Sequence, residues 1–202
     1  MSTHIFLLLD MTASMSWKKE ATIDACNEYI GGQQSTGLGD DTVFTLGVFN
    51  SNVGMERIVD GVPIERAPRI DHEHYRPDGA TPLYDAIGQA MDLLEPYEGQ
   101  VLFIIQTDGE ENSSQHVTRK DVLRRVAEKT AAGWQFIYLG CDIDAMGLGE
   151  DLGIATGNTM SYDREDTGAA FRNLGDSTRD YRARGATSSR SFFGTPRAGA
   201  GD

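Results

Sequence analysis

Ile5-Phe6-Leu7-Leu8-Leu9-Asp10-Met11-Thr12-Ala13-Ser14-Met15-Ser16 opens the chain with five consecutive apolar residues that stop on a carboxylate. An unbroken apolar run of this length fits a strand buried on both faces, as in a parallel sheet covered by helices. Asp10 then falls at the carboxyl end of that strand, where open α/β sheets hold their ligands. Hydroxyls follow at Thr12 and Ser14. Carboxylate and hydroxyl together offer only oxygen, the donor type that hard cations such as Mg²⁺ prefer.

The same pattern returns in Val101-Leu102-Phe103-Ile104-Ile105-Gln106-Thr107-Asp108-Gly109, a second fully apolar run ending on an aspartate. Between and after these runs, helical and strand patterns alternate. Residues 17–30 place Ile23, Cys26 and Ile30 on one face, with Lys18, Lys19, Glu20, Asp24 and Glu28 on the polar side, and Gly31-Gly32 is expected to end this helix. Residues 43–50 and 53–59 read as a hairpin turned at Asn50-Ser51-Asn52, which adds an antiparallel strand at one edge. Residues 60–79, with Pro63, Pro68 and Pro77, read as a long loop, a length that tends to be functional. Leu83, Ala86, Ile87, Ala90 and Leu94 give clean helical spacing, with Thr81 as N-cap and Pro82 at the first helical position.

Further along, a helix is expected over 118–132, a strand over 134–140 and a short helix over 142–152 that Asp142 and Asp144 would cap. A short strand over 159–162 and a helix over 163–184 follow. Residues 185–202, rich in Gly, Ala, Ser, Thr and Arg, read as a flexible tail behind a domain of residues 1–184. The fold class expected is α/β: a doubly wound, mostly parallel sheet of about six strands with one antiparallel edge strand and helices on both faces. Right-handed crossovers would set the strands ending in Asp10 and Asp108 side by side. Their carboxyl ends would then flank the switch point of the sheet, the expected ligand site.

Composition narrows the function. The chain has 202 residues, enough for one domain with a real core. Its net charge of −13 argues against phosphate-backbone binding as its main business. No apolar run reaches the ~20 residues of a membrane span, and the N-terminus lacks a basic segment with an apolar region behind it. A cytoplasmic protein is expected, in the host cytoplasm if the chain is phage-encoded. Cys26 and Cys141 form neither a disulfide framework nor a CxxC pair and are expected as buried free thiols. His72 and His74 lack the spacing of a zinc helix, Gly147-Leu148-Gly149 is not a dinucleotide fingerprint, and no Walker A sequence occurs.

Three elements taken together resemble the von Willebrand factor A domain and its metal-ion-dependent adhesion site. They are Asp10-x-Thr12-x-Ser14 after the first strand, Thr81 in Asp78-Gly79-Ala80-Thr81-Pro82-Leu83, and Asp108 in Thr107-Asp108-Gly109. The family has a serine where this chain has Thr12, a change that keeps the hydroxyl and adds a methyl. The resemblance, spanning residues 4 to about 184, implies that Asp10, Thr12, Ser14, Thr81 and Asp108 hold Mg²⁺, with Mn²⁺ or Ca²⁺ as substitutes. It implies a non-enzymatic adaptor, of intracellular prokaryotic or phage type, whose protein partner donates a Glu or Asp to the ion. It further implies a separate AAA+ ATPase as a working partner. Gly79, Gly109, Glu110, Glu111 and Asn112 would form the rim that meets the partner. The competing expectation is a Mg²⁺-dependent hydrolase or phosphotransferase with Asp10 as nucleophile, since aspartyl-phosphate enzymes place theirs after a first strand.

Overall fold

The computed structural model describes residues 2–36, 41–184 and 191–193. Six strands form a single sheet: β1 (Thr3–Asp10), β2 (Thr42–Asn50), β3 (Gly54–Pro63), β4 (Gln100–Thr107), β5 (Gln135–Cys141) and β6 (Thr159–Tyr162). Their order across the sheet is β3-β2-β1-β4-β5-β6. All neighbours are parallel except β2 and β3. The chain therefore winds outward in one direction as far as β3, then returns past β1 and winds the other way. β1 and β4 are adjacent at the reversal, with Leu9 opposite Gln106.

The apolar run of β1 serves both faces at once because side chains alternate along a strand. Ile5, Leu7 and Leu9 enter one core with Ile23, Tyr29, Phe171 and Leu174. Phe6 and Leu8 enter the other with Ile87, Met91, Val122 and Val126. The first face is covered by α1 (Lys19–Gln34) and α5 (Thr167–Arg184), the second by α2 (Leu83–Leu94) and α3 (Arg119–Ala131). A short helix, α4 (Ala145–Asp151), follows β5. Among the described residues no helix is long and apolar enough to cross a membrane.

Local signals were overridden in four places. Gly31-Gly32 does not end α1, which runs on to Gln34. Packing against α5 outweighs the glycine penalty: Gln33 donates to the Gly175 carbonyl at 2.9 Å, and Tyr29 donates to the Thr178 hydroxyl at 3.2 Å. The first helix also starts differently, as a 3-10 turn over Ala13–Lys18 before α1 begins. β3 reaches Pro63 instead of stopping near residue 59, with a register shift between Phe44 and Leu46, so the long loop is shorter than expected. Thr81 does not cap α2: the cap position is Pro82, and no side chain caps it.

Asp144 does cap α4, accepting from Gly147 N at 3.1 Å, whereas Asp142 does not. Asp142 stands at φ +57° and receives the Arg164 backbone N–H and side chain at 3.0 and 2.8 Å. Cys26 and Cys141 are free and buried. Most of the expected tail lies outside the described residues. Within it, Phe192 packs 6.1 Å from the Tyr181 ring, and its backbone N–H donates to Asn158 Oδ1 at 3.0 Å.

Candidate metal centre

Asp10 sits at the carboxyl end of β1, wholly buried. Its Oδ1 accepts the Thr12 backbone N–H at 2.8 Å, and its Oδ2 accepts the Thr107 hydroxyl at 2.6 Å. Burial pushes its carboxyl up to about 6, against the pull of these hydrogen bonds, and the nearby Asp108 charge adds to the rise. The backbone at Asp10 is fixed from below by Tyr75, whose hydroxyl donates to the Asp10 carbonyl at 2.5 Å.

The turn after β1 projects two hydroxyls from the same place. Thr12 is buried and Ser14 is exposed, and their oxygens are 3.0 Å apart. Ser14 Oγ donates to Asp108 Oδ1 at 2.6 Å, joining residues 94 positions apart. Asp108 follows β4, as Asp10 ends β1, so the adjacency of the two central strands brings the carboxylates to one crevice.

The loop carrying Thr81 is laced into this turn by backbone hydrogen bonds. Ala13 N donates to the Gly79 carbonyl at 3.0 Å and Asp78 N to the Met11 carbonyl at 3.0 Å. Gly79 is required twice over. It sits at φ +73°, and a Cβ there would stand 2.6 Å from Ser51 Oγ. Thr81 itself is clamped by Asn112, whose Oδ1 accepts Thr81 N at 2.8 Å and whose N–H donates to the Thr81 carbonyl at 3.1 Å. Its hydroxyl, not spent on capping, faces Gly109: a Cβ on that glycine would lie 3.4 Å from Thr81 Oγ1.

The expected rim divides by role. Gly79 and Asn112 shape and hold the Thr81 loop, and Gly109 lies next to the Thr81 hydroxyl. Glu111 turns inward to organise its own loop, accepting Ser113 N at 2.7 Å, Ser114 N at 2.6 Å and Tyr84 N at 2.9 Å. Glu110 is exposed. Asp85, on α2, holds the far end of the same loop. Burial pushes its carboxyl up, but the backbone N–H groups of Gln115, His116 and Val117 outweigh this and hold it below the usual carboxylate range.

Two contributors escaped the sequence reading. Thr107, beside Asp108 in the same motif, supplies the hydroxyl that fixes Asp10. Lys18, expected on the polar side of a helix, is buried, with Nζ 2.7 Å from Asp108 Oδ2. The pair is an ion contact at this distance without an aligned hydrogen bond. At the mouth of the site Trp17 is half exposed, with the Arg164 guanidinium 4.1 Å above its ring. A cleft of about 700 Å³ is lined by Met11, Ser16, Asn50, Asn52, Arg76 and Asp78 among others.

The donor set suits a hard cation. It holds two carboxylates and three hydroxyls, and a carboxylate oxygen that accepts one hydrogen bond keeps a further lone pair for an ion. Among the described residues no three His, Cys, Asp or Glu side chains cluster as ligands, so the set is rich in neutral oxygen and poor in charge.

By sequence, no family model and no curated protein matches this chain. By structure, it is similar to the pilus adhesin SpaC from Lactobacillus rhamnosus GG in its open conformation, at TM-score 0.70 and 16% identity over 88% of this chain. It is also similar to the vWF domain of the type V pili tip protein Mfa5 from Porphyromonas gingivalis, at TM-score 0.67 and 10% identity over 92% of this chain and 98% of that one. A third likeness is to the VWA domain of SpRpn10, at TM-score 0.59 and 11% identity over 85% of this chain and 94% of that one. The chain has a von Willebrand factor A fold. It spans 30% of the length of SpaC but nearly all of the Mfa5 and SpRpn10 domains. In this fold, Asp10, Thr12, Ser14 and Asp108 meet at the switch point of the sheet, and Thr81 stands next to Gly109, the residue after Asp108.

Proposed function

We propose that this A domain is a divalent-metal-dependent protein-binding module. Asp10, Thr12, Ser14, Thr81 and Asp108 would hold Mg²⁺, and a Glu or Asp of a partner protein would complete its coordination. The observation that carries the reading is the joining of Ser14 to Asp108, across 94 residues of sequence, beside Thr12 and the clamped Thr81. A bound ion supplies a Lewis-acidic contact point for an external oxygen. The chain's own residues position the donors, three of which are hydroxyls that bring no charge to the ion.

Two neighbours come from pilus proteins and one from SpRpn10, which supports a protein-interaction role for this fold. Burial favours a non-catalytic role in this reading. An aspartyl nucleophile must be open to substrate, yet Asp10 is sealed in the sheet while the exposed member of the set is the Ser14 hydroxyl. An intracellular adaptor of prokaryotic or phage type, working beside a separate AAA+ ATPase, is the setting in which we place it.

Ser14→Ala tests the site at an exposed position with little risk to the fold. Mg²⁺ or Mn²⁺ should raise the melting temperature of the wild type by mass action and leave the variant unmoved. Partner capture should require the ion and fail with EDTA. An equal metal response in Ser14→Ala, or capture undiminished by EDTA, overturns the reading.

A further inference from the structure

Lys18 is the feature that the metal-site reading leaves unexplained. Lysine is almost never buried without a partner, and this one is about 2% exposed. The local cause is the 3-10 turn. In that helix residues three apart eclipse, so Met15 and Lys18 both turn inward while Ser14, Ser16 and Trp17 face out. The ammonium lies 2.7 Å from Asp108 Oδ2 and 4.9 Å from the centre of the Trp17 ring, and it faces the buried Cys141 thiol at the end of β5. Ser14 occupies the other oxygen of the same carboxylate.

Resting on the metal-site reading above, we infer that Lys18 is a built-in counter-cation of the site, competing with the divalent ion for Asp108 and making metal binding depend on an external carboxylate. The charge count carries this. Asp10 and Asp108 bring two negative charges into a buried crevice, and Lys18 cancels one. A divalent ion added to that set leaves one positive charge, which a partner's carboxylate neutralises. Without the lysine, the ion and the two aspartates balance by themselves, and a further carboxylate brings an excess of negative charge. Like charges held close in a poorly screened site repel, so the lysine weakens the ion alone and favours the ion together with a carboxylate. Ion entry also competes with the contacts that Lys18 and Ser14 make on the two oxygens of Asp108. Lys18 thereby couples metal and partner, which is reciprocal by linkage.

The test is Mn²⁺ binding to the full chain by calorimetry, comparing wild type with Lys18→Met, Lys18→Gln and Lys19→Met in chloride buffer. Lys19 reaches outward to the His72 carbonyl at 3.3 Å and serves as the control. Removing the Lys18 charge should tighten Mn²⁺ binding by about tenfold or more, with Lys19→Met within about twofold of wild type. Unchanged or weaker binding in the Lys18 variants overturns the inference while leaving the metal site standing. No Mn²⁺ binding by any of the four proteins overturns the site itself.

Replacing chloride by acetate, corrected for acetate's own Mn²⁺ binding, probes the wild type without substitution, so folding of the variants is not decisive. Acetate should tighten Mn²⁺ binding by about threefold or more in the wild type. No change in acetate overturns the coupling.

Discussion

Asp10→Asn separates the cost of the buried charge from its use. The carboxyl is raised from 3.8 to about 6, chiefly by burial. A raised carboxyl favours the protonated form in the folded state, so its stabilising share is complete below pH 3.8 and lost as pH rises through about 6. At pH 7 the ionised Asp10 therefore costs the metal-free protein roughly 3 kcal/mol, at about 1.4 kcal/mol per unit. Asparagine fits the same place. Its Oδ1 keeps the Thr12 N–H, and its amide can donate to Thr107 Oγ1 if that hydroxyl turns its own hydrogen to the Gly109 carbonyl, 3.1 Å away.

In EDTA at pH 7 the variant should melt about 6–12 °C higher than wild type, from the size scaling of the melting entropy. The gap should close as the buffer falls from pH 6 to below pH 4. Adding Mg²⁺ should raise the wild type alone, by about 2.7 kcal/mol at a hundred times its dissociation constant. Thermal and urea unfolding in both buffers measure all of this. A variant less stable than wild type in EDTA at pH 7, or a gap independent of pH, would refute the account of Asp10.

Three other substitutions probe the supports. Gly79→Ala places a methyl on a residue at φ +73° and against Ser51 Oγ, so it should cost about 1–3 kcal/mol and weaken the metal response; a neutral effect on both would show the loop is held elsewhere. Asp85→Ala strands the three N–H groups of Gln115, His116 and Val117 and should cost roughly 2–4 kcal/mol, with faster amide exchange confined to that loop. The carboxylate's share should fade as acid approaches, since its pKa is held low in the folded state. Phe192→Ala removes a buried ring from Tyr181 and should cost about 3 kcal/mol; an unchanged urea midpoint would mean that the segment adds nothing to the fold.

The sheet and the identity of its two central strands were legible because a parallel strand covered on both faces has no alternation to blur it, and both runs stop on a carboxylate. The site was legible as donors but not as supports. Asn112 and Glu111 lie next to Asp108 and read as rim, but the backbone groups they satisfy belong to residues elsewhere in the loops or on α2. Lys18 was misplaced because a 3-10 turn shifts the inward face relative to an α-helix, and nothing in Ala13–Lys18 announces that tighter winding. The glycines at 31 and 32 misled for a related reason. Their weak helix preference is a local quantity, and Tyr29 and Gln33 answer to α5, about 140 residues away.

The placement of β1 between two parallel partners has a consequence for opening motions. Asp10 is paired with Phe49 of β2, follows a Leu9 paired on both sides, and is tied toward β4 by the Thr107 hydroxyl, so the acidic floor of the site should unlock only when the whole domain does. The Thr81 loop is tied to its neighbours by separate hydrogen bonds and not by a strand ladder, so its opening should cost less than that of the sheet. An ion gripped by both would tie the loop's cheap fluctuation to the sheet's expensive one. Thr81 and its neighbours would then exchange their amides on the timescale of global unfolding, and the rim would become as durable as the floor.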